Sequence, residues 1–86
     1  AHVWINGQLA TIHSGGHLPF ECEITPFIAK NVSASKVHVV VEVNNTLTST
    51  TLPPGHLIIH NPTYRELQTN FDFFNYAGID RSVILY

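Results

Sequence analysis

Eighty-six residues, with four basic and six acidic side chains and a formal charge of -2, make one small domain at most. Hydrophobic residues at 44% and charged residues at 12% exclude a disordered chain, and no apolar run approaches the roughly 20 residues of a membrane span. The charges are scattered singly, so no basic patch exists to neutralise a row of phosphates or an anionic bilayer, and neither nucleic acid nor membrane is an expected partner.

The first segment, Val3-Trp4-Ile5, runs into Asn6-Gly7, a dipeptide suited to a type I′ turn because both positions tolerate positive φ. Gln8 to His13 then reads as the returning strand of a hairpin. After Gly15-Gly16, Phe20, Cys22 and Ile24 alternate with Glu21 and Glu23, the pattern of a strand with one wet face. Thr25-Pro26 followed by Phe27, Ile28 and Ala29 is too short for a stable helix and predicts a turn or one helical turn. From Lys36 to Val43 the valines at 37, 39, 41 and 43 share one face, which predicts the central strand. Asn44 to Gly55, rich in threonine, asparagine and proline, predicts a long ordered loop ending in the stiff turn Pro53-Pro54-Gly55. Leu57 to Ile59 reads as a short strand, Asn61 to Asn70 as polar connection, and Ser82 to Tyr86 as a last strand after a turn at Ala77-Gly78. Short alternating strands separated by turn signals predict an all-β, antiparallel β-sandwich. Both ends are expected to be truncated, because Ala1 opens almost at once into a strand and Tyr86 stops inside another. The absence of an initiator methionine and of any signal-like segment fits a targeting sequence missing from this piece.

Chemistry-bearing residues are present but poorly placed for catalysis. His13/His17 and His56/His60 have the four-residue spacing that lets two imidazoles share a metal on a helix, yet Gly15-Gly16 and Leu57-Ile58-Ile59 do not build that helix. On a strand the same spacing separates the rings by roughly 13 Å, so no metal is expected. Glu21 and Glu23 project the same way from one strand, whereas a glycosidase acid and nucleophile must flank the scissile bond. Cys22, the single cysteine, can form no internal disulfide and sits on the apolar side of its strand, where a thiolate is disfavoured. No catalytic residue and no cofactor is expected. Asn31-Val32-Ser33 and Asn44-Asn45-Thr46 match the N-glycosylation pattern, with unmodified surface asparagines as the alternative. Asp72 stands apart, a carboxylate between Phe71 and Phe73-Phe74. A charge among aromatics is costly unless paired or hydrogen-bonded, so it points to water, bonds its own turn or serves a ligand.

The strings VWINGQ, SGGHLPFECEIT, NNTLTSTTLPPG at residues 44 to 55 and FDFFNYAGIDRSVILY at residues 71 to 86 together resemble the β-glucuronidases of glycoside hydrolase family 2. Galactosidase and mannosidase relatives share only the sparse core seen here as Gly78-Ile79-Asp80-Arg81. The resemblance implies a jelly-roll, galactose-binding-domain-like fold, partial here over residues 1–86. It also implies a parent chain with an immunoglobulin-like domain and a barrel that carries both catalytic glutamates; Glu21, Glu23, Glu42 and Glu66 match neither. It further implies that Asp72 hydrogen-bonds the glucuronide, with Phe73, Phe74, Asn75 and Tyr76 building the interdomain wall that holds it. The implied parent hydrolyses terminal β-D-glucuronides, including glycosaminoglycan ends, with retention; it is lysosomal or secreted and forms a homo-oligomer. The isolated segment is expected to be inactive. His17 departs from the family's usual tyrosine, and the connection from His56 to Asn70 is shorter than in animal relatives. A free-standing carbohydrate-binding module is the competing reading, separated from the first by whether a barrel follows in the reading frame.

Overall fold

A computed structural model describes residues 1–28, 36–70 and 78–86. Among these residues the chain is all-β, with antiparallel sheets and one short helical turn, and it divides into two compact units, Ala1–Val43 and Asn44–Tyr86.

In the first unit, β1 (His2–Ile5) pairs antiparallel with β2 (Gln8–Ile12). Asn6 at φ 49° and Gly7 at φ 79° both take the left-handed region, so the expected type I′ turn is the one formed, and its twist matches that of the strands it joins. Ala1 and His13 extend the ladder by exchanging backbone hydrogen bonds of 2.6 and 2.9 Å. The register shifts between Val3, which faces Thr11, and Trp4, which faces Leu9, leaving Ala10 as the extra residue of a bulge.

The third strand, β3 (Val39–Glu42), lies against the other side of β1, giving the order β2-β1-β3. This corrects the expectation that the valine-rich segment is central: β1 holds the centre, and β3 flanks it with Val39 and Val40 51% and 57% exposed. The period-two pattern reports how many apolar side chains share a face, not how many neighbours the strand has. Val3 and Ile5, on the face of β1 away from Trp4, are buried at 8% and 2% exposure. The segment Phe20 to Ile24 also departs from expectation, because it joins no ladder among the described residues. Its alternation survives in exposure alone, with Cys22 and Ile24 half-buried and Glu21 and Glu23 exposed. Thr25–Ile28 forms the single helical turn α1, closed by a 2.9 Å bond from the Phe27 N–H to the Ile24 carbonyl.

The second unit is built on the hairpin of β4 (His56–Asn61) and β5 (Tyr64–Gln68). The second strand overturns the reading of residues 61 to 70 as polar connection. The turn is set by Asn61, whose Oδ1 accepts from the Thr63 N–H, the Thr63 hydroxyl and the Tyr64 N–H at 2.8 to 2.9 Å. An asparagine side chain before proline is a turn initiator, and Tyr64-Arg65-Glu66-Leu67-Gln68 is polar because both its faces are largely wet. Residues 82 to 86 form no strand among the described residues and are exposed, Leu85 by 80%. β-propensity by itself makes no ladder.

Leu47 is buried at 6% exposure, and a glycine lets other chain approach it. A Cβ placed on Gly55 would lie 2.8 Å from the Leu47 Cβ and 3.0 Å from the Gln68 carbonyl oxygen. Neither obstacle is a flexible side-chain end. Gly55→Ala is therefore expected to destabilise the fold by about 1 to 3 kcal/mol through overpacking, lowering the melting temperature in a thermal denaturation scan.

Candidate functional site

The candidate substrate contact Asp72 and the wall residues Phe73, Phe74, Asn75 and Tyr76 lie outside the described residues, as does Asn31. Their flanks are described. On the N-terminal side the Thr69 hydroxyl donates to the Pro54 carbonyl at 3.2 Å, tying the chain that leads to Asp72 to the end of the threonine-rich loop. On the C-terminal side Gly78 sits at φ 89°, a left-handed position where a side chain would be strained, and this fits the expected turn. Asp80 and Arg81 follow, their charged groups 4.0 Å apart and largely in water.

The loop from Asn44 to Gly55 is ordered by its own hydroxyls. Thr51 Oγ1 accepts from the Thr48 N–H at 2.9 Å and lies 2.8 Å from the Pro53 carbonyl and 3.0 Å from the Thr48 carbonyl. One hydroxyl proton can serve only one of these, and the shorter contact to Pro53 is the better bond. The Thr48 carbonyl is held instead by the Gly55 N–H at 2.9 Å, which closes the loop across the cis Leu52–Pro53 peptide. Thr48 and Thr50 share a further hydroxyl contact at 3.1 Å on the exposed side. At the loop's start Asn44 is exposed and its Oδ1 accepts from the Thr46 N–H at 2.8 Å, an Asx turn that fixes the sequon on the surface.

Two glutamates face histidines. His2 Nδ1 lies 3.7 Å from Glu42, and His60 Nε2 lies 2.8 Å from Glu66. The His60 contact, with a second hydrogen bond from Gln68, holds the Glu66 carboxyl below the ordinary glutamate value. His13 stacks on Phe20 with ring centroids 4.4 Å apart, and its buried Nε2 has no hydrogen-bond partner among the described residues. Cys22 is a half-buried free thiol. Among the described residues no group of three or more histidine, cysteine or acidic side chains is arranged to hold a metal ion, and no helix is long and apolar enough to cross a membrane. Sequence reading missed the bracing roles of Asn6 and His60. The Asn6 side chain donates to the Phe27 carbonyl at 3.3 Å and accepts from the His38 N–H at 3.0 Å, contacts that depend on long-range folding and leave no local signal.

The whole chain, residues 1–86, matches the profile of glycosyl hydrolases family 2, sugar binding domain. It is 46% identical to the β-glucuronidase of Pongo abelii, 48% to that of Chlorocebus aethiops and 45% to that of Homo sapiens, each over 92 residues. All of this chain is covered in each case, and it spans 14% of the length of these relatives. No solved structure gives a significant match. The chain belongs to the sugar-binding domain family of the family 2 glycosyl hydrolases.

The threonine loop yields an internal control. Thr51→Val keeps the shape but strips a half-buried hydroxyl from its carbonyl and amide partners, at an expected cost of about 1 to 2 kcal/mol. Thr50→Val, on the exposed side, is expected to stay within about 0.5 kcal/mol of wild type. Denaturant unfolding of the two variants side by side measures the difference.

Proposed function

We propose that this chain is a portion of the sugar-binding domain of a β-glucuronidase that hydrolyses terminal β-D-glucuronides, glycosaminoglycan ends among them, with retention. The observation that carries the reading is the match of the whole chain both to the family 2 sugar-binding domain and, at 45 to 48% identity, to β-glucuronidases. Retention requires two carboxyl groups about 5 to 5.5 Å apart across the glycosidic bond. Glu42 and Glu66 face histidines on their own sheets, and Glu21 and Glu23 are exposed side by side on one segment, which supports a chain without an acid and nucleophile pair. In this reading the parent also has an immunoglobulin-like domain and a barrel whose two glutamates supply the chemistry, the segment alone is inactive, and the parent acts as a homo-oligomer. The exposure of apolar Val83, Ile84 and Leu85, at 72 to 80%, fits a segment that works against further polypeptide.

Asp72 is the proposed substrate contact, on a wall formed with Phe73, Phe74, Asn75 and Tyr76. A carboxylate can accept two hydroxyl hydrogen bonds, and a charge-assisted bond is worth roughly 1.5 to 3 kcal/mol, or about 10- to 150-fold in rate if it is realised in the transition state. Asp72→Asn in the full-length enzyme is expected to lower kcat/KM for an aryl glucuronide within that range while leaving the melting temperature unchanged. Wild-type kcat/KM with a lowered melting temperature would return Asp72 to the role of a turn-capping residue.

The parent is proposed to be lysosomal or secreted, a reading supported by the exposed Asx-turn sequon at Asn44. Asn44 is expected to carry an N-linked glycan when the full-length protein is made in a secretory host. Peptide mass spectrometry that finds Asn44 consistently bare would count against both the modification and the compartment.

A further inference from the structure

The His60 bulge brings four side chains of the β4–β5 hairpin into one network. The ladder pairs Ile59 with Arg65 and Asn61 with Tyr64, so His60 is the residue left over on β4. Its ring stacks on Tyr64 with centroids 4.9 Å apart, and its Nε2 reaches Glu66 Oε2 at 2.8 Å. Facing an ionised carboxylate, which only accepts, that nitrogen must be the protonated one. Gln68 Nε2 donates to the other oxygen, Glu66 Oε1, at 3.2 Å. Both oxygens of one carboxylate are therefore held by donors, one from each strand. A two-stranded hairpin is marginal on its own, so a cross-strand link beside its turn bears on whether that end stays closed.

We propose that the His60 bulge and Glu66 form an acid-labile latch that keeps the turn end of the β4–β5 hairpin closed while Glu66 is ionised and lets it fray when Glu66 is protonated. The other ionisable groups of the two strands are His56, which pairs with Gln68 at the far end, Tyr64 under the His60 ring, and Arg65, which pairs with Ile59. None of these three is hydrogen-bonded to the carboxylate in the network described. Neutral Glu66 withdraws the carboxylate's negative charge from both bonds at once, since each donor then meets an uncharged acceptor. The sign follows from the direction of the shift. A carboxyl held below its unfolded value adds stability above that unfolded value, and the stability is lost as pH falls through the folded value.

Amide hydrogen exchange of the full-length protein, expressed as protection factors for β4 and β5 relative to the β1–β2 hairpin, tests the latch. Wild-type protection near the turn is expected to be flat at neutral pH and to fall about two- to five-fold as Glu66 titrates, the size fitting an exposed pair. Glu66→Gln is expected to show the lower protection at every pH with no step. His60→Phe, which keeps a ring against Tyr64, is expected to lose the step as well and to raise the Glu66 titration midpoint read by carboxyl NMR. A step of equal size in wild type and Glu66→Gln, or a Glu66 midpoint unmoved by His60→Phe, would overturn the proposal.

Discussion

One asparagine fixes the geometry of the first unit. Asn6 adopts the left-handed backbone that the β1–β2 turn requires, and its N–H donates to the His38 carbonyl at 2.9 Å. Its side chain accepts from the His38 N–H and donates to the carbonyl of Phe27. Three separate segments, the hairpin turn, the helical turn α1 and the approach to β3, thus meet on one residue. Glycine would supply the turn geometry equally well but none of the side-chain bonds, so the turn and the bracing select asparagine together. With Asn6 tied to His38, Val39 falls opposite Ile5 and the antiparallel register of β3 follows, carrying Val41 to its place beside Val3.

The second unit solves the same problem by other means. Its loop is closed by threonine hydroxyls and by a glycine that permits backbone approach, and its hairpin is turned by an asparagine side chain that accepts three bonds. In both units local polar groups hold the turns, while only Val3, Ile5 and Leu47 are buried among the described hydrophobic residues. Polar turn chemistry specifies where the chain reverses, and apolar burial specifies which faces turn inward. Among the described residues the first is extensive and the second is small.

That division explains what could be read from sequence. Asn6-Gly7, Pro26 and the threonine-rich loop carry their information within a few residues, and the hairpin, the helical turn and the ordered loop were all legible. The central place given to the valine run failed because strand order is a property of pairing, and pairing depends on residues far along the chain. The strand Tyr64–Gln68 was missed because arginine, glutamate and glutamine hide a ladder whose faces are both wet. The strand expected at Phe20 to Ile24 showed the reverse error, an alternation without a partner. For the candidate site, composition alone left Asp72 undecided between turn, solvent and ligand. The weight moved to ligand only through the resemblance of its whole segment to the family, because a sugar contact made across a domain boundary leaves no signature in local spacing.

The proposed role of Asp72 carries an electrostatic condition. A glucuronide is itself an anion, so a protein carboxylate in contact with it gains hydrogen bonds and suffers repulsion from the sugar's own carboxylate. At an effective dielectric of about 20, like charges about 5 Å apart repel by roughly 3 kcal/mol, which cancels a charge-assisted hydrogen bond of roughly 1.5 to 3 kcal/mol. At about 10 Å the repulsion halves, because it falls inversely with distance. A useful contact therefore requires Asp72 to meet ring hydroxyls on the edge away from the sugar carboxylate, with cationic or hydrogen-bond-donating groups of the parent meeting that carboxylate on the other side. The sequence beside Asp72 is compatible with such an arrangement, because Phe71, Phe73 and Phe74 bring no charge of their own to compete for the substrate's acid group.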